Sequence, residues 1–394
     1  MVVTVTNTMY RNESTTPGQM DAPVIVAASR TPIGTAGRAL AGHDAAELAS
    51  LVLANLRRRV PSVSLREVVL GNCTGPGGDL ARVAALRAHL GVEVPALTVD
   101  RQCGSGLAAI ALAVDMVRLH PGLVLAGGVE SASTAPWRFW PPEEGAEPVR
   151  YERAPFAPAD VGDPDMGPAA DALAAEYGIS RARQDVYAAR SHARAVEAGQ
   201  AGLFGDELMP VGEVHRDERP RPGMSERRLA RFPPAFDAGG TVTAGNSCGI
   251  NDGAAAVAVL DAATHTRLNI PGLRVLVTAT AGVDPTLPGI GLVPAVQEAV
   301  KNAGLELDDI DVIEFNEAFA GQILACCDAL GVDPERICPQ GGALALGHPW
   351  GASGAVLLVR LYTQLVRQGR GRFGLAAIAV GGGQGVAMLV ERCL

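Results

Sequence analysis

Gly341-Gly342-Ala343-Leu344-Ala345-Leu346-Gly347-His348-Pro349-Trp350-Gly351-Ala352-Ser353-Gly354 is the stretch on which the reading of this chain turns. A single imidazole stands in a run of glycines and small apolar residues. A histidine on so rigid a loop needs a group to act on, and the chain offers a cysteine in a matching setting, Gln102-Cys103-Gly104-Ser105-Gly106. Each run taken alone is also what ordinary turn chemistry produces. Together, Cys103 and His348 point to acyl transfer through a thioester on Cys103. A third element, Asn316-Glu317-Ala318-Phe319-Ala320, follows directly on the apolar run Ile310–Phe315.

Local pattern supports these assignments. Cys103 follows the strand-like Leu97–Val99 and precedes a helix-like run from Leu107 to Leu119. A thiol at a helix N-terminus feels the positive end of the macrodipole, so the reading predicts a thiolate-favouring site. Gly104 and Gly106 let a substrate approach the backbone. Imidazole titrates near neutrality and suits proton transfer, whereas His43, His89, His120, His192, His215 and His265 lack such a setting. Cys73, Cys326, Cys327, Cys338 and Cys393 read as packing, and Cys248 is left open.

The chain has 394 residues, 48% of them hydrophobic, enough for a large core and two or three domains. A formal charge of −9 with no long basic run argues against nucleic acid as a partner. Lysine occurs only at Lys301, on the amphipathic run Pro294–Ala303, which argues against Schiff-base chemistry and a lysine-dependent phosphate loop. The seven cysteines form no metal-ligating spacing, so no metal is expected. Their odd number, with no secretory leader or long apolar span, suggests a cytoplasmic chain outside any membrane. The polar first residues read as a disordered extension over 1–22, with Met20 as a candidate start.

Apolar runs at Pro23–Ala28, Val68–Leu70, Leu97–Val99 and Leu123–Ala126 alternate with helix-like segments, which is α/β patterning. The pattern restarts at Leu273–Ala279 and continues through Ile310–Phe315 and Leu375–Val380. The restart suggests two related halves, expected at 23–271 and 272–394, the first carrying an insertion at about 131–240 with helices expected at Ala169–Tyr177 and Arg181–Ala198. Such insertions usually bind ligand or partner.

Taken together with Arg30-Thr31-Pro32-Ile33-Gly34, Gly127-Gly128-Val129-Glu130-Ser131 and Thr241-Val242-Thr243-Ala244-Gly245-Asn246, the three runs resemble the thiolase family of acyl-CoA acyltransferases from about Pro23 to the C-terminus. The resemblance implies an α/β, five-layered α-β-α-β-α fold of two similar halves with an inserted loop domain, and a homodimer or homotetramer. It implies Cys103 as nucleophile and His348 as the group that takes its proton. His348 then helps Asn316, acting through a water, to hold the oxygen of the incoming thioester. The Gly381 N–H, in the turn Gly381-Gly382-Gly383, joins that of Cys103 in an oxyanion hole. Met166, Ser247, Cys248, Phe319 and Trp350 are assigned to substrate binding, and Arg221 to the nucleotide of coenzyme A, which is a substrate and not a bound cofactor.

The chain departs from the family at Ala379, where carbon–carbon bond-forming thiolases carry a second, proton-transferring cysteine. Losing a positioned acid/base costs roughly 10²–10⁴ in rate. Asp165 stands where many bacterial thiolases have histidine and adds negative charge near the presumed cofactor site. Cys248 replaces serine or alanine on a loop that normally faces the pantetheine arm, and is a conceivable substitute. The expected function is Claisen-type acyl transfer from Cys103, decarboxylative if no substitute base exists. The alternatives are transfer to an N, O or S nucleophile, or a non-catalytic scaffold subunit. The donor is an acyl-CoA or a carrier-protein thioester.

Overall fold

The structure is a computed structural model and describes residues 21–394. The expected extension therefore falls almost wholly outside the described residues. In chain order the elements that position the site are β1 (Val24–Arg30), α1 (Ala45–Arg59), β2 (Leu65–Gly71), α2 (Leu80–Arg87), β3 (Ala96–Val99), α3 (Ser105–Leu119), β4 (Leu123–Ser131), α4 (Met166–Glu176), α5 (Arg181–Gln200) and β5 (Asn251–Leu260). They are followed by β6 (Gly272–Gly282), α6 (Leu292–Ala303), β7 (Val312–Phe315), α7 (Ala320–Leu330), α8 (Trp350–Tyr362), β8 (Phe373–Val380) and β9 (Gln384–Cys393).

One strand order runs twice. In the first half it is β1-β5-β4-β2, and in the second β6-β9-β8-β7. In both, the pair at the far end is parallel and the remaining pairs are antiparallel. β3 extends the first sheet parallel to β2, and an isolated parallel bridge between Ile313 and Ile337 stands in the equivalent place in the second. The two sheets join where β1 meets β6, over Val24–Arg274 and Ile25–Leu273 only.

Strand periodicity explains the layers, because successive side chains point to opposite faces. Val124, Ala126, Val257 and Val259 turn inward onto α3 and α8, while Leu123, Leu125, Ala256 and Ala258 pack beneath α1 and α2. In the second sheet Ala376, Ile378, Val386 and Met388 face α3 and α8, whereas Leu375, Ala377, Ala387 and Leu389 face α6 and α7. The result is a five-layered sandwich, with α3 and α8 in the middle. This position accounts for the apolar composition of the run Gln102–Leu119, which is long and apolar enough for a membrane span by length and composition alone yet is 56% buried within the protein.

Glycines set the depth of the central layer. A Cβ on Gly128 would lie 1.9 Å from the Gly351 carbonyl oxygen, and one on Gly354 would lie 2.5 Å from the Leu107 nitrogen. No side chain fits there, so α3 and α8 approach backbone to backbone and bring Cys103 and His348 to one end of the sandwich. The inserted region contributes α4 and α5, both packed against α7. The alanine-rich β5 is buried throughout and central to the first sheet, yet no expectation placed a strand there, since alanine carries little strand preference.

Candidate active site

Cys103 sits on a sharp turn between β3 and α3. Gln102 before it has φ +44°, a left-handed conformation that costs a non-glycine residue energy. Ser105 closes the turn, accepting from the Arg101 N–H at 2.8 Å and donating to the Gln102 carbonyl at 2.6 Å. The chain thereby spends a strained residue and a dedicated hydroxyl on presenting one thiol.

Gly347, at φ +117°, turns the opposite loop, where a Cβ would also strike Ile33 and Asn251. The His348 N–H donates to Asn251 Oδ1 at 2.9 Å, and Asn251 is in turn held by its Nδ2 on the Gly34 carbonyl at 2.8 Å. The His348 ring meets Ser353 Oγ through Nδ1 at 2.6 Å, and Ser353 donates to the Pro349 carbonyl at 2.9 Å. With the serine proton on Pro349, Nδ1 carries the hydrogen and Nε2 is free to act as a base. Burial holds the imidazole down at about 4, so it rests neutral.

Glu130 fastens the first half to the start of α8. Although buried, its carboxylate accepts from the Gly351, Cys73 and Thr74 N–H groups at 3.0, 3.2 and 3.1 Å, and from the Asn72 amide and Thr74 hydroxyl. Glu317 does the same for the third loop, accepting from Tyr187 at 2.7 Å, Ser191 at 2.6 Å and the Leu344 N–H at 3.2 Å. Ser353, Asn251, Glu130, Ser105 and Arg219 received no role from the sequence. In the sequence Glu130 and Glu317 stand only as letters of their motifs, and a charge placed among apolar residues is the signal that marks them.

A cavity of about 100 Å³ opens between these loops. Cys103, His348, Gly381, Met166, Cys248, Phe319, Trp350 and Ala379 all line it. The other lining residues are apolar apart from Gln322. Gly382 and Gly383 have φ +80° and +78°, a turn open to glycine, and this turn sets Gly381 in the cavity wall beside Cys103.

The expectation of a thiolate-favouring site needs correction. Burial pushes the Cys103 thiol up to about 12, reinforced by Cys248 and Glu130, and the Cys103 and Gly381 N–H groups recover only part of the shift. Withdrawal from water disfavours the thiolate more than the nearby backbone N–H groups favour it. Cys103 and His348 therefore rest as a neutral pair.

Three further placements differ from the expectation of one converging site. Asn316 does not line the Cys103 cavity; it faces a neighbouring one of about 20 Å³ with Ser353, Glu314 and Arg360, space for about one water. Ser247 turns away from the cavity to donate to the Thr243 carbonyl at 2.5 Å, leaving Cys248 as the residue of that loop presented to it. Arg221 is exposed and only its backbone is engaged, its N–H on His192 Nδ1 at 3.3 Å and its carbonyl by the Met224 N–H at 3.2 Å, whereas Arg219 packs inward on Gly249 next to Cys248. Asp165 is paired with Arg153 at 2.8 Å, so its charge is balanced locally.

Comparison with known proteins agrees with this geometry. Family models for the thiolase N-terminal and C-terminal domains match residues 23–263 and 271–392. A putative acetyl-CoA C-acetyltransferase of Bacillus subtilis is 42% identical, over 93% of this chain and 98% of its own length. A probable acetyl-CoA acetyltransferase of Escherichia coli is 43% identical, over 94% and 98% respectively. Among solved structures, the acetyl-CoA acetyltransferase of Bacillus anthracis superposes with a TM-score of 0.88 at 34% identity, covering 95% of this chain and 100% of that one. Human mitochondrial 3-ketoacyl-CoA thiolase gives 0.89 at 34% identity, over 96% and 100%. The doubled strand order, the central pair of helices with Cys103 and His348 at their ends, and these matches have one reading: the chain belongs to the thiolase family of acyltransferases.

Proposed function

We propose that Cys103 is acylated by an acyl-CoA and passes the acyl group to the α-carbon of a second acyl-CoA, a reversible Claisen-type transfer with acetyl as the first candidate group. The acetyl assignment rests on the names of the relatives. His348 Nε2 takes the Cys103 proton as the sulfur attacks, and the resulting imidazolium is supported by Nδ1–H on Ser353. The oxyanion of the acyl-enzyme step lies between the Cys103 and Gly381 N–H groups, each worth about 3 kcal/mol to a developing charge. The imidazolium then donates to the carbonyl of the acceptor, with Asn316 acting through a water in its small cavity.

One observation carries this reading: Cys103, His348 and Gly381 line one largely apolar cavity. Arg221 is proposed to meet the nucleotide phosphates; it is exposed and forms no ion pair among the described residues. The exposed aromatic hairpin Arg138–Trp140 with Val149–Tyr151, bearing Trp137, Phe139 and Trp140, supports assembly into a homodimer or homotetramer.

A second reading, decarboxylative condensation, is favoured by Ala379, which lines the cavity but cannot move a proton. Product analysis separates the two. Acetyl-CoA alone should yield acetoacetyl-CoA, and the reverse thiolysis should run without CO₂. Product only with malonyl-CoA, with one CO₂ per turnover, would replace the first reading with the second. No product with either would exclude both.

A further inference from the structure

Transfer to carbon, the reading on which this inference rests, needs a group that exchanges a proton with the acceptor's α-carbon. Among the described residues lining the Cys103 cavity three can titrate, namely Cys103, His348 and Cys248. Cys103 carries the acyl group at that stage. His348 Nε2 is donating to the acceptor's carbonyl, and one nitrogen cannot donate and accept at once. Ala379 contributes only a methyl group.

We propose that Cys248 is the acid/base that moves the α-proton in this enzyme. Its position is fixed by the backbone: the Cys248 N–H donates to the Ala318 carbonyl at 2.9 Å, and Ser247 pairs with Phe319 in an isolated antiparallel bridge. The loop is therefore locked to the one bearing Asn316. The sulfur lines the same cavity as Cys103, close enough for its charge to oppose ionisation of the Cys103 thiol. Behind it lies the Arg219 guanidinium, so tight on Gly249 that an added Cβ would come within 2.2 Å of Nη1. Arg219 Nη2 reaches only the Leu344 carbonyl, at 3.5 Å, and Nε has no partner among the described residues. A half-buried cation with so few acceptors is what a transient thiolate requires.

The resting thiol is protonated, pushed up to about 12 by burial, with Arg219 pulling the other way. That is the state in which the cycle needs it. As acyl-CoA acylates Cys103, the C–S bond to coenzyme A breaks and the departing sulfur takes the Cys248 proton. The thiolate left beside Arg219 then removes a proton from the acceptor's α-carbon. The C–H electron pair becomes the enolate, which attacks the acyl carbon. The bond to Cys103 breaks, and Cys103 recovers its proton from the His348 imidazolium. Every proton and electron pair is accounted for, with no co-reactant beyond the two thioesters.

The test follows exchange of the acetyl-CoA methyl protons in D₂O by NMR, alongside Cys103 acylation by intact mass, in wild type, Cys248→Ala, Cys248→Ser and the double variant Cys248→Ala/Ala379→Cys. The inference expects Cys248→Ala to lose about 10²–10⁴ in exchange while Cys103 still acylates to completion, more slowly, because coenzyme A can depart as its thiolate. Cys248→Ser should be as slow, since serine is a poor acid/base, and the double variant should recover part of the loss. Exchange at the wild-type rate in Cys248→Ala overturns the inference and leaves the acyltransferase reading intact. Loss of acylation together with exchange would make Cys248 a partner of the nucleophile and also overturn it. A wild type that is never acylated by acetyl-CoA instead removes the reading beneath it.

Discussion

Ser353→Ala isolates the device that makes His348 a base. The hydroxyl sits 2.6 Å from Nδ1 and 2.9 Å from the Pro349 carbonyl, and both residues are buried. Without it Nδ1–H faces alanine and loses its acceptor. A buried donor without a partner costs about 1–3 kcal/mol, with the upper part of that range applying once the ring is charged. Because the charge develops as Cys103 loses its proton, most of the cost falls on the transition state. Converted at 1.4 kcal/mol per decade, acylation should slow by about 10- to 100-fold. The fold should tolerate the change, as alanine is the better helix former and Ser353 lies within α8. The assay is rapid-quench intact-mass measurement of the Cys103 acyl adduct, with Ser353→Thr, which keeps the hydroxyl, as rescue. A Ser353→Ala rate within twofold of wild type would show that this hydrogen bond does not prepare the imidazole.

Gly351→Ala should destabilise the chain by about 1–3 kcal/mol in chemical denaturation and impair acylation, because the new Cβ would lie 2.6 Å from the Val129 carbonyl oxygen and 2.8 Å from the Asn72 Cα, backbone that cannot step aside; wild-type stability would contradict the packing account. Alkylation of Cys103 should accelerate about tenfold per pH unit from 7 to 9, since the thiol is raised to about 12; a plateau below pH 8 would mean a stable thiolate. His192 is buried, held at about 4 against 6.5 by burial and then by Arg219 and Arg221, and accepts the Arg221 N–H. A folded-state value below the unfolded one means its share of stability is whole above 6.5 and is lost as pH falls towards 4, up to about 3 kcal/mol. His348 behaves alike, whereas Glu314, raised to about 7 mainly by burial, works in the opposite sense: its share is whole below its unfolded value and is lost as pH rises through 7. His192→Gln should therefore flatten part of the loss of melting temperature between pH 6.5 and 4, and an unchanged slope would count against it.

Much of this was legible in the residues. Strands at the expected runs, the helix after Cys103 and the amphipathic α6 follow from periodicity, and the glycines around Cys103, His348 and Gly381 mark the close approaches that the structure uses. Cys103, His348 and Gly381 share one cavity as expected. The protonation state of Cys103 was misread because a local rule, the helix N-terminus, competes with burial that only the assembled layers create. The inward turn of Cys248 and outward turn of Ser247 depend on the pairing with Phe319, seventy residues distant in sequence, which no local pattern encodes. Glu130 and Glu317 were visible as letters, but their many backbone donors come from distant loops. The strand β5 was missed because alanine packs wherever space is small, and here the space is the contact with α8.

The central claim is tested most directly by intact-protein mass spectrometry after incubation with acetyl-CoA, comparing wild type with Cys103→Ala and releasing the adduct with free coenzyme A. The account predicts one acetyl group on the wild-type chain, mapped to Cys103, lost when coenzyme A is added and absent from the variant. An adduct on another residue, or none on a folded wild-type chain, would contradict it.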